Sequence, residues 1–86
     1  MPHHLVRIDA GRNLYRFYRL DVQADLFGAV SLIREWGRIG QGGTVRMASF
    51  ATESEAQAAA ARALTIKQRR GYRVIDCPQL RVQETH

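Results

Sequence analysis

Cysteine and histidine are scarce in this chain of 86 residues. Cys77 is the only cysteine, so no internal disulfide can form and no zinc site of the usual cysteine and histidine spacing can be assembled. The three histidines, His3, His4 and His86, stand near the chain ends, where no rigid element would hold them as a general base or as metal ligands. We therefore predict a protein that is not an enzyme and that carries no metal, no cofactor and no catalytic residues.

Long apolar runs are also absent. No stretch approaches the ~20 apolar residues of a membrane span, and the opening residues, MPHHLVRID, do not resemble a signal peptide. A single cysteine fits a reducing compartment without requiring one. These features predict a cytoplasmic protein without a membrane partner, and the length predicts one small domain.

Acidic residues are outnumbered by basic ones. The chain has 13 Lys and Arg against 8 Asp and Glu, a formal charge of +5, and 12 of the 13 bases are arginine. Such a charge attracts polyanions, and arginine in particular makes planar bidentate contacts with phosphate and stacks on rings. An arginine-rich, lysine-poor composition also follows from a GC-rich genome, so the composition alone leaves both interpretations open.

The first half of the chain has the pattern of an antiparallel sheet. Aromatic and β-branched runs at residues 14–22, 26–39 and 44–50 predict three strands. The sequence GQGG, residues 40–43, is short and tolerates positive φ, which predicts a hairpin turn between the last two strands. Short connections imply antiparallel neighbours. Weaker strand signals lie at residues 5–8 and in the later segment YRVI.

The second half changes to helical periodicity. Thr52 and Glu55 match a capping box at a helix start, and Gly71 suits the left-handed cap that ends a helix. Between them, small residues recur at three-and-four spacing and form a narrow stripe that can lie close against a sheet. The residues of this stripe are Ala56, Ala59, Ala60, Ala63, Leu64 and Lys67. The sequence therefore predicts an α+β fold, an antiparallel sheet of about four strands with one long helix packed across it.

The only tryptophan, Trp36, stands between two arginines. In an extended strand, side chains two residues apart share a face at about 6.5 to 7 Å, so Arg34, Trp36 and Arg38 lie on one face. A ring between two guanidinium groups suits a stacked base or sugar with phosphates on either side. We expect this strand to be buried on both sides near its start, where Phe27 lies, and to extend beyond the core near Trp36.

Other interpretations of this stretch stay open. Trp36 can equally be an internal anchor that closes the sheet edge, with Arg34 or Arg38 stacked on it. A bulge at Gly37 would break the alternation of side chains. The loop GRIGQGG also offers free backbone amides to phosphate. It has no Walker lysine followed by Ser or Thr and leads into a strand, so a hairpin turn is the favoured interpretation.

A second basic region spans residues 61–73, which contain five positive charges and no acid. These charges cannot all share one helical face, so part of them is ordinary solvated surface. Arg69, Arg70 and Arg73, at the end of the predicted helix, are the better candidates for phosphate contacts.

Taken in order, four segments resemble the WGR domain family, whose name is the tripeptide found here at positions 36–38. The segments are NLYRFYRLDV, EWGRIGQGG, SFATESEAQAAAARAL and KQRRGYR, and the resemblance covers residues 13–75. Residues 1–12 are then a lead-in and residues 76–86 a C-terminal tail. The chain is similar to short, stand-alone, bacterial-type members of the family.

The resemblance implies a fold and a function. The family fold is an antiparallel sheet with a helix packed across it. In eukaryotic poly(ADP-ribose) polymerases the domain helps to recognise DNA strand breaks: the tryptophan packs on a sugar or base near a 5′ end, and the motif arginine contacts DNA or neighbouring domains. By this similarity Trp36 and Arg38 are binding residues, whereas Arg34 rests on charge and geometry. Only a short tail follows the domain, so we expect no ADP-ribosyl transfer.

The leading hypothesis is therefore a nucleic-acid-binding module that prefers DNA ends or single-strand junctions, with RNA as a second ligand class. The candidate binding residues are Trp36, Gly37, Arg38, Arg34, Arg69, Arg70 and Arg73. The alternative hypothesis is a protein-interaction or interdomain adaptor that binds no nucleic acid. A binder of small nucleotides is the third hypothesis.

Overall fold

The computed structural model describes residues 2–75, which form one antiparallel sheet with one helix across it. The elements are β1 (His3–Asp9), a 3₁₀ helix (Ala10–Arg12), β2 (Leu14–Ala24), β3 (Val30–Arg38), β4 (Thr44–Phe50), α1 (Glu53–Arg69) and β5 (Arg73–Val74). The strand order is β4-β3-β2-β1-β5, and every neighbouring pair is antiparallel. The predicted α+β fold is confirmed; the predicted tail lies outside the described residues.

The sheet has five strands rather than about four, because β1 is a full strand. It pairs along its whole length with β2, and on its other side it pairs with the two-residue strand β5. The local signal predicted a short strand only at residues 5–8, within a lead-in. Pairing with β2 supplies backbone hydrogen-bond partners to the flanking residues, so the strand extends from His3 to Asp9.

A tight turn replaces the start of the strand that was predicted from residue 26. The Asp25 carboxylate accepts hydrogen bonds from the backbone N–H groups of Phe27 and Ala29, at 2.8 and 3.0 Å, and Gly28 has a left-handed φ of 86°. Phe27 is 93 % exposed, so the expectation that it would be buried is wrong. β3 begins only at Val30, because the hydrogen bonds of the aspartate side chain compete with strand pairing here.

The core lies between α1 and one face of the sheet, called here the helix face. Ala56 and Ala60 are the buried residues of α1, so the helix backbone lies close to the strands, as the stripe of small residues predicted. Ala60 belongs to one buried cluster with Leu5, Tyr18 and Leu20. Leu5 and Leu20 are the largest fully buried side chains, which makes the centre of β1 and β2 the middle of the core.

Both predicted ends of α1 are confirmed. The Thr52 hydroxyl accepts a hydrogen bond from the Glu55 N–H at 3.2 Å, which satisfies one of the free donors of the first turn. At the other end, Gly71 has a φ of 97° and its N–H donates to the Gln68 carbonyl at 3.1 Å. Glycine suits this position because other residues are strained at such a φ.

The β3–β4 hairpin turns at Gly40. The Gln41 N–H donates to the Arg38 carbonyl at 3.1 Å, and Gly40 has a φ of 90°. The register between β2 and β3 continues through Gly37, which stands opposite Phe17, so no bulge forms there. The hairpin interpretation of the glycine loop is confirmed.

Two neighbouring glycines of this loop differ in their surroundings. A Cβ atom at Gly43 would lie 2.6 Å from the carbonyl oxygen of Trp36 and 2.8 Å from the ring of Phe17. A Cβ atom at Gly42 would meet nothing within 4 Å. Only Gly43 is therefore required by a close approach of the backbone.

We expect Gly43→Ala to lower the free energy of unfolding by about 1 to 3 kcal/mol, the usual cost of inserting a methyl group where none fits. Gly42→Ala is the matched control, and it should change stability little because its methyl group meets open space. Urea denaturation of both variants measures the difference. Equal stabilities would contradict the close packing of Gly43 on β3.

The other side of the sheet, called here the open face, has no element packed on it within the described chain. Ile8, Val45 and Met47 lie on this face and are 54, 53 and 67 % exposed. Arg19 and Glu35 form an ion pair there with an N···O distance of 3.0 Å. The helix face is therefore covered by α1, whereas the open face carries exposed apolar side chains and an ion pair.

Candidate nucleic-acid interface

Trp36 lies near the end of β3 on the helix face. It stands directly opposite Tyr18 of β2, and the two rings stack with a centroid distance of 6.2 Å and an interplanar angle of 28°. Trp36 packs against the buried core cluster but is itself only partly buried. The ring therefore anchors the end of β3 and keeps part of its surface in solvent.

The two arginines of the motif region have different surroundings. The Cζ atom of Arg34 lies 5.9 Å from the ring centroid of Trp36. The Arg38 guanidinium instead donates to the backbone and side-chain oxygens of Asn13, at 3.3 and 3.2 Å, and its Cζ atom lies 5.3 Å from the ring centroid of Tyr15. Strand alternation places both residues on one face, yet only the Arg34 head group stays beside the tryptophan.

Lys67, the only lysine, lies over an aromatic row. Its Nζ atom is 4.6 Å from the ring centroid of Tyr18 and 5.4 Å from that of Tyr72. Tyr72 meets Tyr18 edge-on, with ring centroids 6.3 Å apart. Trp36, Tyr18 and Tyr72 thus form a continuous row from β3 to the end of α1, with an ammonium group against its middle.

Three arginines act on the charge of Lys67 at this row. Burial lowers the pKa of Lys67 below its usual value, and the positive charges of Arg70, Arg16 and Arg34 lower that pKa further. We call Arg16, Arg34, Lys67 and Arg70 the cationic cluster. Arg46 stands opposite Arg34 in the β3–β4 register, so it adds a further positive charge to the same face.

No carboxylate of the described residues balances this cluster. The ion pairs found there join Arg12 to Asp9, at 4.0 Å, and Arg19 to Glu35, at 3.0 Å. Neither pair includes a member of the cationic cluster. Like charges held close together raise the local positive potential, so the surface beside Trp36 attracts anions.

A cavity of about 370 Å³ opens beside Arg38 at the end of β3. Its lining residues are Arg12, Asn13, Leu14, Tyr15, Arg16, Gly37 and Arg38. Arg16 also belongs to the cationic cluster, so the cavity continues the basic surface around the end of the sheet. Three guanidinium groups on its wall make it suited to a phosphate.

Comparison with known proteins assigns this arrangement to a family. The family model described as WGR domain matches residues 1–78. The chain belongs to the WGR family. It is 37 % identical over 70 residues to the uncharacterized protein y4dW of Sinorhizobium fredii (strain NBRC 101917 / NGR234), an alignment that covers 81 % of this chain and 34 % of that protein. The chain thus spans about a third of the length of this relative, and no solved structure matches it.

The WGR fold brings together only some of the predicted binding residues. Arg34, Trp36 and Arg70 are gathered on the helix face, where Arg70 acts on the charge of Lys67. Arg69 lies on the exposed side of α1. Arg73 stands beside Val6 of β1 on the open face, which is the other side of the sheet from Trp36. The helix-end arginines therefore occupy three different surfaces.

Tyr18, Tyr72, Lys67 and Arg16 are the residues of this surface that the sequence analysis did not select. The sequence pattern placed Lys67 on the small-residue stripe of the helix, which is compatible with its position over Tyr18. Their common location depends on the register of β2 against β3 and on where α1 ends over the sheet. Neither can be read from the spacing within one segment.

Two other kinds of site are absent from residues 2–75. They contain no group of three or more His, Cys, Asp or Glu side chains able to hold a metal ion. Their one helix lacks the length and the apolar character that a membrane crossing requires.

The pKa of Lys67 can be measured directly, because the chain has one lysine. With ¹³Cε-labelled lysine, we expect the side-chain resonance of the folded protein to titrate below the ordinary value of 10.5. Arg70→Gln should raise the midpoint, since it removes a neighbouring positive charge. Arg73→Gln, on the open face, is the control and should leave it unchanged.

The lowered pKa of Lys67 also determines the direction in which stability changes with pH. The unfolded chain binds the Lys67 proton more tightly than the folded chain does, so this residue's contribution to stability increases as pH rises from the lowered pKa to 10.5. A midpoint at or above 10.5 in the NMR titration would contradict the convergence of positive charges.

Proposed function

We propose that this WGR domain is a nucleic-acid-binding module that prefers DNA ends or strand breaks, with RNA as a second ligand class. The observation that carries the proposal is Arg34, with its Cζ atom 5.9 Å from the ring of the partly exposed Trp36 and Arg46 on the facing strand, on a surface where neither arginine has an ion-pair partner among the described residues. The two ingredients suit the two parts of a nucleotide: a base or sugar stacks on the ring, and guanidinium groups bind phosphate. The proposed activity is binding, without catalysis.

The surroundings of Trp36 support a preference for ends. Tyr18 stacks on Trp36 and the Arg34 Cζ atom lies 5.9 Å from its ring centroid, so a ligand can stack only on the part of the indole that remains in solvent. A base inside a duplex already has stacked neighbours on both sides, and reaching it costs unstacking. A terminal nucleotide has one free face, which suits a ring that is only partly exposed.

Phosphate contacts are proposed at two places. Arg34 and the rest of the cationic cluster would hold the phosphate next to the stacked nucleotide, and Arg38 would act from the neighbouring cavity. The hydrogen bonds from Arg38 to Asn13 use two of its five N–H donors, which leaves donors for a phosphate oxygen and keeps the guanidinium in place. Arg69 and Arg73, on other surfaces, would add only long-range attraction.

Tryptophan fluorescence tests the proposal, because Trp36 is the only tryptophan. Blunt, recessed and 5′-phosphorylated duplexes should quench it, with dissociation constants of about 10⁻⁴ to 10⁻⁶ M or tighter that rise steeply with salt. A closed duplex without ends is the control and should bind more weakly. Absence of quenching and of salt-sensitive binding over this range would exclude the proposed function.

Two variants that each lose one positive charge distinguish binding at this surface from attraction to the overall charge of the protein. We expect Arg34→Gln to weaken binding several-fold and to reduce the salt slope by about one phosphate contact. Arg73→Gln, on the opposite face of the sheet, should bind almost as the parent does. Equal losses in both variants would show that binding depends on overall charge alone. Thermal unfolding of each variant establishes that it is folded.

A further inference from the structure

Within residues 2–75, no strand pairs with the outer edge of β4. Among these residues β4 is hydrogen-bonded to β3 on one side only, and it forms one end of the sheet. The strand at the other end, β5, has two residues, whereas β4 has seven, with no proline and with Arg46 as its only charged residue. Natural sheets usually shield such an edge by shortening it, by adding charges or prolines, or by covering it.

Exposed apolar side chains accompany this edge. Val45 and Met47 point to the open face and are 53 and 67 % exposed. Met47 stands opposite Ile33 of β3, so an apolar pair extends to the rim of the sheet. A further strand beside β4 would supply partners to the free backbone groups and place its own side chains next to Val45 and Met47.

We infer that β4 pairs antiparallel with β4 of a second copy of this chain, about a two-fold axis at Met47. Met47 is the central residue of the strand, so this register gives a partner to every residue of β4. The facing pairs are Thr44 with Phe50, Val45 with Ser49, Arg46 with Ala48, and Met47 with itself. The two Arg46 side chains are diagonal rather than facing neighbours, roughly 7 to 8 Å apart, and the two sheets become one continuous sheet.

Charge complementarity favours a second copy over another extended segment. Glu55, in the first turn of α1, lines a groove of about 380 Å³ beside the end of β4. Within the described residues, neither Arg46 nor Glu55 has an ion-pair partner. The register places Arg46 of each copy on the helix face next to the groove of the other. Arg62, which also lines the groove, lies roughly 10 Å further along α1 than Glu55.

The pairing does not itself use Trp36 or any member of the cationic cluster. It uses the backbone edge of β4 and joins Ile33 and Met47 of both copies into one apolar row on the open face. Trp36 and the cationic cluster lie on the helix face. The inference therefore does not depend on nucleic-acid binding, and either can fail without the other.

Sedimentation velocity on the full chain tests the pairing. Between about 10 µM and 1 mM, the range of weak associations, the mass should shift from 9.8 kDa towards twice that value. Met47→Lys and Met47→Glu should each be monomeric, because at a two-fold axis each new charge faces its own copy. An equimolar mixture of the two variants should dimerise again, since lysine then faces glutamate.

The control is Ile8→Lys, which adds the same charge on the open face but on β1, and it should dimerise like the parent. A parent chain that stays monomeric at every concentration would overturn self-pairing and leave the edge to an extended segment of a different protein. Dimers that survive both Met47 variants, or a mixture that fails to associate, would overturn the register. Loss of the dimer in Ile8→Lys would place the interface elsewhere on the open face.

Discussion

The stacked contact between Tyr18 and Trp36 joins the core of this domain to its basic surface. Tyr18 is 3 % exposed, whereas Trp36 is only partly buried, so a rigid residue supports one that reaches solvent. The contact exists because the β2–β3 register sets the two residues opposite each other. A shift by one residue would turn Trp36 to the open face, away from Lys67 and Arg34.

The small residues of α1 explain how a lysine comes to lie against this pair. Ala56 and Ala60 let the helix backbone lie near the strands, which brings the last turn, with Lys67, down onto the aromatic row. There the ammonium loses water and meets the charges of three arginines, so its charged form is disfavoured. Crowding of like charges works against folding. Beside a partly exposed ring, such crowding makes the surface attractive to anions.

Features with a complete local cause could be predicted from the sequence. β4, the Thr52 cap, the Gly71 end of α1 and the turn at Gly40 depend on side chains within a few residues of each other. The length of β1 could not be predicted, because pairing with β2 determines where this strand begins and ends.

The candidate site was less predictable for the same reason. Strand alternation correctly placed Arg34, Trp36 and Arg38 on one face, but it carries no information about distant partners. The Arg38 head group lies on Asn13, a residue 25 positions away, and the position of Lys67 over Tyr18 depends on how α1 crosses the sheet. The prediction that Phe27 is buried was wrong for a different reason. Its hydrophobic character favoured burial, but hydrogen bonds to the Asp25 side chain hold this segment in an exposed turn.

The cationic cluster lies on the helix face of the sheet, and the exposed apolar side chains of β4 lie on the open face. Each copy carries a formal charge of +5, so two copies repel wherever their basic surfaces approach. Screening limits that repulsion to about 8 Å at physiological ionic strength, which favours association at an edge whose apolar side chains lie on the opposite face from the cationic cluster. A nucleic acid bound at Trp36 would neutralise part of the cluster and reduce the remaining repulsion. Because such coupling is reciprocal, any gain in self-association on binding nucleic acid must appear as an equal gain in the affinity of the paired form for nucleic acid.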